Sequence, residues 1–173
     1  MIYEIPNCWL DLLGQDYDMY DLEYELPPRT VVSLETFFTG NDDIRSIGSF
    51  HPGRHPGTQF FYELLKNIRN QENVEAVLVE ISEIEIKDTP GQLTFPLSKR
   101  VYIVTSASEE AVSSWVKPLI PYQITKGWCY GIKPVGAPPV SKGNKVFELY
   151  WSDSEPEETL EEMLANLQKE HSF

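Results

Sequence analysis

The pattern of apolar and polar positions is organised around one stretch, Pro56 to Thr105. Phe60, Phe61, Leu64, Leu65 and Ile68 recur at spacings of three and four, while Glu63, Lys66, Asn67 and Asn70 fall largely on the other side. That period predicts a helix with one buried face. Pro56 suits its first turn, where a missing N–H costs nothing. From Val74 to Ile81 the chain becomes β-branched and almost continuously apolar, which predicts a central strand. The apolar positions are odd-numbered at Val77, Val79 and Ile81 but even-numbered at Ile84 and Ile86. A strand of period two cannot change face without an extra residue, so either a bulge near Ser82–Glu83 or a second sequential strand follows. Asp88-Thr89-Pro90-Gly91 is a turn sequence. Arg100 to Thr105 then returns as the next strand, antiparallel to the first.

The flanks carry further patterns, the cleanest alternation of the chain among them. Ile2 to Leu13 holds enough apolar surface to dock on a core. Tyr20 to Leu26 is apolar on even positions and acidic on odd ones, a half-buried strand stopped by Pro27-Pro28. Thr30-Val31-Val32 predicts a short strand. Ser33 caps a helix through Leu34, Phe37 and Phe38, which Gly40-Asn41 ends. Ser106 with Glu109 reads as a capping box for a second helix, buried through Ala111, Val112, Trp115 and Val116 and ended by Pro118. Residues 119–144, rich in Pro, Gly and Lys, read as a wrapping loop with room for a short strand. Lys145 to Trp151 is the last strand. Ser154 caps a terminal helix with the stripe Leu160, Met163, Leu164 and Leu167.

These elements make an α+β fold, an antiparallel sheet with two packed helices. Their order, βαββαβ, matches a split βαβ, ferredoxin-like arrangement with an extra N-terminal strand and a C-terminal helix. A broader α+β sandwich is the alternative. At 173 residues the chain reads as one domain able to bury a core without staples.

Charge divides that domain into three parts. Residues 1–45 carry ten acids and two arginines, net -8; residues 46–151 sum to +1; residues 152–173 carry seven acids and one lysine, net -6. That balance disfavours nucleic acid and anionic membranes as partners and admits a basic protein. A homo-oligomer is compatible with it but not indicated. Only two cysteines occur, Cys8 and Cys129, no run of eighteen apolar residues exists, and Met1 to Glu4 lacks a basic, apolar export signal. A reducing, cytoplasmic setting is the expectation.

Candidate chemistry is sparse. His51-Pro52-Gly53-Arg54-His55-Pro56-Gly57 places two histidines four apart beside an arginine. Pro52 and Gly53 prevent the helix that would aim both rings at one metal. As a loop site, His51 or His55 would act as base or ligand and Arg54 as anion clamp. Trp128 and Tyr130 could wall a pocket around Cys129, whose thiol has Lys126 and Lys133 nearby but no diagnostic His or acid. Asn41-Asp42-Asp43 fails as a calcium loop because Arg45 stands where a ligand is needed. Phosphate-loop, dinucleotide and nucleophile-elbow motifs are absent, and no catalytic residue, cofactor or metal is assigned. The favoured expectation is therefore a non-catalytic protein-binding module of acidic surface, immunity-type or regulatory, with Asp21, Glu23 and Glu25 as the partner-binding strip. The alternative is a small-ligand binder or enzyme with a site between the His51–Gly57 loop and the Tyr122–Val135 loop.

Overall fold

A computed structural model describes residues 30–48, 55–86 and 93–152. The acidic strand at Tyr20–Leu26, the turn at Asp88–Gly91 and the helix after Ser154 lie outside those residues. The protein is an α+β fold built on antiparallel strands: β1 (Thr30–Ser33), β2 (Val74–Ile81), β3 (Glu83–Ile86), β4 (Leu93–Leu97), β5 (Arg100–Thr105), β6 (Gln123–Lys126) and β7 (Lys145–Tyr150). Five of them form one sheet in the order β1-β2-β5-β7-β6, and β3 pairs with β4 as a separate hairpin. A split βαβ would place another strand between two that a helix connects. Here β1 and β2 are direct neighbours, with Val32 opposite Val79, so the strand order is not the ferredoxin-like one.

The change of face near Ser82 resolves as two strands. β2 ends at Ile81 and β3 opens at Glu83 in a different sheet. The Ser82 N–H donates to the Leu97 carbonyl at 2.8 Å, which carries the chain from one sheet to the other.

Alternation along the strands gives the main sheet two unlike faces. Val77, Val79, Ile81, Val101, Ile103, Phe147 and Leu149 point to the first. Over it lie α1 (Leu34–Phe38), α2 (Thr58–Arg69) and α3 (Glu109–Val116), which contribute Leu34, Phe37, Phe61, Leu65, Ile68, Val112 and Val116. Each such side chain contributes roughly 1.5–3 kcal/mol by leaving water. Phe60, for all its place in the apolar period, stays 42% exposed, because α2 buries a narrower stripe through Phe61, Leu65 and Ile68.

The helix starts differ from the sequence reading in two places. Gly57, at φ 100°, is the N-cap of α2, so Pro56 stands before the helix and not in its first turn. Ser108, not Ser106, caps α3: its side chain accepts from the Ala111 N–H, while Ser106 pairs its backbone with Asn73. Ser33 caps α1 through the Thr36 N–H as its sequence predicts.

Among the described residues, the second face is covered without α-helices. Val31, Tyr102, Val104 and Val146 meet Cys129 there, with Trp128, Ala137 and Val140 packed around them. The segment that supplies those last residues crosses the sheet from edge to edge. It leaves β6 at Gly127 and reaches β1 at Val135, whose carbonyl accepts the Val31 N–H at 3.0 Å. Gly136 follows at φ 86°, and a Cβ there would meet the Val31 carbonyl oxygen at 2.8 Å. Only glycine fits so close an approach. No helix among the described residues is long and apolar enough to cross a membrane.

Candidate functional site

His55 is the described member of the His-Pro-Gly loop; His51 and Arg54 lie outside the described residues. Its Nδ1 accepts the Gly57 N–H at 2.8 Å, so Nε2 carries the proton and donates to the Ile47 carbonyl at 2.9 Å. The ring stacks on Phe61 at 5.3 Å, and Phe61 leans on Trp151 at 5.6 Å. Both ring nitrogens are thus spent on backbone, in a cluster on the first face of the sheet.

Trp128, Cys129 and Tyr130 diverge. Trp128 packs edge-on against Tyr102 at 5.0 Å, and the buried Cys129 thiol, in no disulfide, joins the second face. Tyr130 turns outward, 83% exposed, with φ at 55°. His55 and Cys129 therefore lie on opposite faces of the sheet, and the structure does not bring them together. The acidic strip Asp21, Glu23 and Glu25 is outside the described residues. Among those that are described, no group of three His, Cys, Asp or Glu side chains is placed to hold a metal ion.

Sequence reasoning passed over a buried polar cluster at the centre of the second face. Glu80, Arg100, Tyr102 and Glu148 occupy facing positions on β2, β5 and β7, since Glu80 opposes Arg100 and Tyr102 opposes Glu148. The Tyr102 hydroxyl donates to Glu80 at 2.7 Å. Arg100 reaches Glu80 at 3.5 Å through Nη1 and Glu148 at 3.4 Å through Nε, and its guanidinium lies 4.5 Å from the Tyr150 ring centre. Burial, then the bond to Glu80, pushes the Tyr102 phenol far up, so it stays a neutral donor. Burial works against the Arg100 charge, but Cys129, Glu80 and Glu148 outweigh it and hold its pKa above the ordinary value. The signal was present as polar residues on even positions of otherwise apolar strands. Their arrangement joins three strands in register and turns its charge inward.

What faces outward is different in kind. From Lys117 to Phe147 the chain has five lysines and no acid. Within that stretch Ile120, Tyr122, Tyr130, Ile132 and Val135 are all more than half exposed. β6 forms an edge of the sheet, bonded among the described residues only to β7, and Gln123, Thr125 and Lys126 are exposed. A groove of about 680 Å³ runs between this edge and α3, lined by Ile120, Pro121 and Ile124 on one side and Glu110, Ser113 and Lys117 on the other. Two exposed acids elsewhere are engaged: Glu35 pairs with Arg69 at 2.6 Å, and Glu75 binds Ser141 and Asn144.

The family model for the uncharacterized protein YfbO family matches residues 13–149, which takes in the sheet up to the last residue of β7 and stops before the acidic end segment. A relative from Escherichia coli (strain K12), described as uncharacterized protein YfbO, is 34% identical over 122 residues, covering 66% of this chain and 81% of the relative. No solved structure matches the chain.

Proposed function

The chain belongs to the uncharacterised YfbO family, and we propose that it is a non-catalytic protein-binding module. The observation that carries this reading is the exposure of Ile120, Tyr122, Tyr130, Ile132 and Val135 along one lysine-bearing stretch, which runs from the β6 edge across the second face to β1. Large apolar side chains left in water along such a band are unfavourable and mark surfaces that meet a partner. Tyrosine in particular buries a large area at low entropic cost. Lysines with no intervening acid favour an acidic contact on that partner.

A second reading rests on the segregated charge. The net -8 of residues 1–45 favours a basic partner, with Asp21, Glu23 and Glu25 as its strip. An immunity-type or regulatory role in the cytoplasm fits either surface. The alternative of a ligand pocket between the His51–Gly57 and Tyr122–Val135 loops draws no support from His55, whose nitrogens bond Ile47 and Gly57.

Capture from a lysate of the native cell by the immobilised full chain tests both readings. Loss of capture in Tyr130→Ala with Ile132→Asp identifies the apolar surface. Loss in the charge-reversed Asp21, Glu23 and Glu25 variant, with release by salt, identifies the acidic one. A captured protein that survives both sets of changes rejects the two surfaces, and an empty capture at low and high salt rejects the module.

A further inference from the structure

Among the described residues, β6 is hydrogen-bonded to the sheet on one side only. The Gly127 N–H donates to the Val146 carbonyl at 2.7 Å, and the antiparallel register sets Thr125 opposite Glu148 and Gln123 opposite Tyr150. Backbone groups in such a ladder turn to one side and then the other. Gln123 and Thr125 therefore face β7, while Ile124 and Lys126 hold their N–H and C=O groups outward along the rim.

Side chains alternate across the same strand. Ile124 opposes Leu149 and packs on the first face, so Lys126 shares that face. There lies the groove against α3, with Ile120, Pro121 and Ile124 as its apolar wall and Lys117 on the other side. A strand laid along β6 sends every second side chain toward that groove. Glu110 is the acid on the lining. Its own backbone N–H, then Ser108, hold its carboxyl below the ordinary range, with Lys126 and Lys145 adding to the effect. Lys117, Lys126 and Lys145 outnumber it, and β6 itself has no acid.

Resting on the reading of the chain as a binding module, we propose that β6 takes up an extended acidic segment of a partner protein as a further strand of the main sheet. Apolar side chains at alternate positions of that segment sit on Ile120, Pro121 and Ile124, and flanking acids meet Lys117 and Lys126. Backbone bonds to Ile124 and Lys126 supply affinity, and the groove supplies the choice of sequence. A second copy is the poorer occupant. A lysine on an edge strand discourages pairing with a like edge but not with an acidic one.

Panning a displayed library of random linear dodecapeptides on the immobilised full chain tests this with a defined probe. Recovered peptides are expected to carry acids flanking alternate apolar residues. They should lose about tenfold in affinity for Lys126→Glu and for Ile124→Pro, whose proline removes an outward N–H and no bond to β7. Slow exchange at Ile103, fully buried in β5, reports an intact sheet in each variant. The selected peptide, added at ten times its Kd, should slow exchange of the Ile124 and Lys126 N–H groups about tenfold. No binder above the bare support, binders without acids, or binders that survive both changes overturn the strand addition. Capture through Tyr130 and Ile132 is read separately and stands or falls on its own. Protection of the two N–H groups before any peptide is added also overturns the proposal. Growing with protein concentration, it assigns the rim to a second copy; independent of concentration, to another segment of the same chain.

Discussion

Trp151 and Leu119 are joined by an indole-to-carbonyl hydrogen bond of 2.9 Å between two fully buried residues. It connects the residue after β7 to the turn before β6, and Trp151 also touches Phe61, on which His55 stacks. One side chain therefore fastens the His55 loop, a helix and both strands of the sheet edge. Trp151→Phe keeps most of the apolar contact but leaves the Leu119 carbonyl unpaired, at an expected cost of about 1–3 kcal/mol in urea unfolding. Trp151→Ala, which also opens a cavity, costs about 3–5 kcal/mol. A phenylalanine variant as stable as the parent shows that the bond contributes nothing.

Arg100 is the shared counter-charge of Glu80 and Glu148. Arg100→Leu strands both carboxylates under the cover of the second face, at about 3–5 kcal/mol near neutral pH. Urea midpoints of parent and variant at neutral pH check the cost, and a variant as stable as the parent contradicts the assignment.

Glu75 governs the loop before β7. Asn144 first, then Ser141, holds its carboxyl below the ordinary 4.5. A depressed folded pKa contributes above the unfolded value and is lost as pH falls through the folded one. The loop at 141–144 is thus expected to loosen below about pH 4.5 while the sheet stays protected. The protection factor of the Asn144 N–H, which donates to the Ser141 carbonyl, should fall in acid in the parent. Glu75→Ala should show that lower protection already at neutral pH, and unchanged protection there sinks the idea.

Two serines two residues apart separate the sequence reading of α3 from the structural one. Ser108→Ala removes the bond to the Ala111 N–H and is expected to cost about 1 kcal/mol. Ser106→Ala leaves the backbone pairing with Asn73 in place and should fall within about 0.5 kcal/mol of the parent. Thermal unfolding of the pair decides it, and reversed costs restore the capping box at Ser106.

The same contrast explains what was legible. The strands and helices of the first face announce themselves, because Phe61, Leu65, Val77, Val79, Val101 and Ile103 obey a period and face one core. Helix starts slipped by a residue or two, since Ser106 and Ser108 both satisfy a local capping pattern and only tertiary position chooses between them. Strand order was beyond reach: which neighbours β1 takes depends on long-range packing, and its four residues carry no register signal of their own. The polar cluster was hidden for a related reason. Glu80, Arg100 and Glu148 look like solvent positions until the segment from Gly127 to Val140 is laid over them. His55 and Cys129 looked like possible neighbours only while the sheet between them was unplaced.

The band of chain that runs from Gly127 to Val135 has a consequence for assembly. By giving the Val135 carbonyl to the Val31 N–H it uses up the outer rim of β1, and Ser33 at the far end of that strand is already committed to α1. Among the described residues, that leaves the rim at β6 as the one where another strand can add to the main sheet. Over those residues the sheet has a valence of one: joined rim to rim it makes a pair, and β1 offers no second rim from which the pair would grow into a fibre.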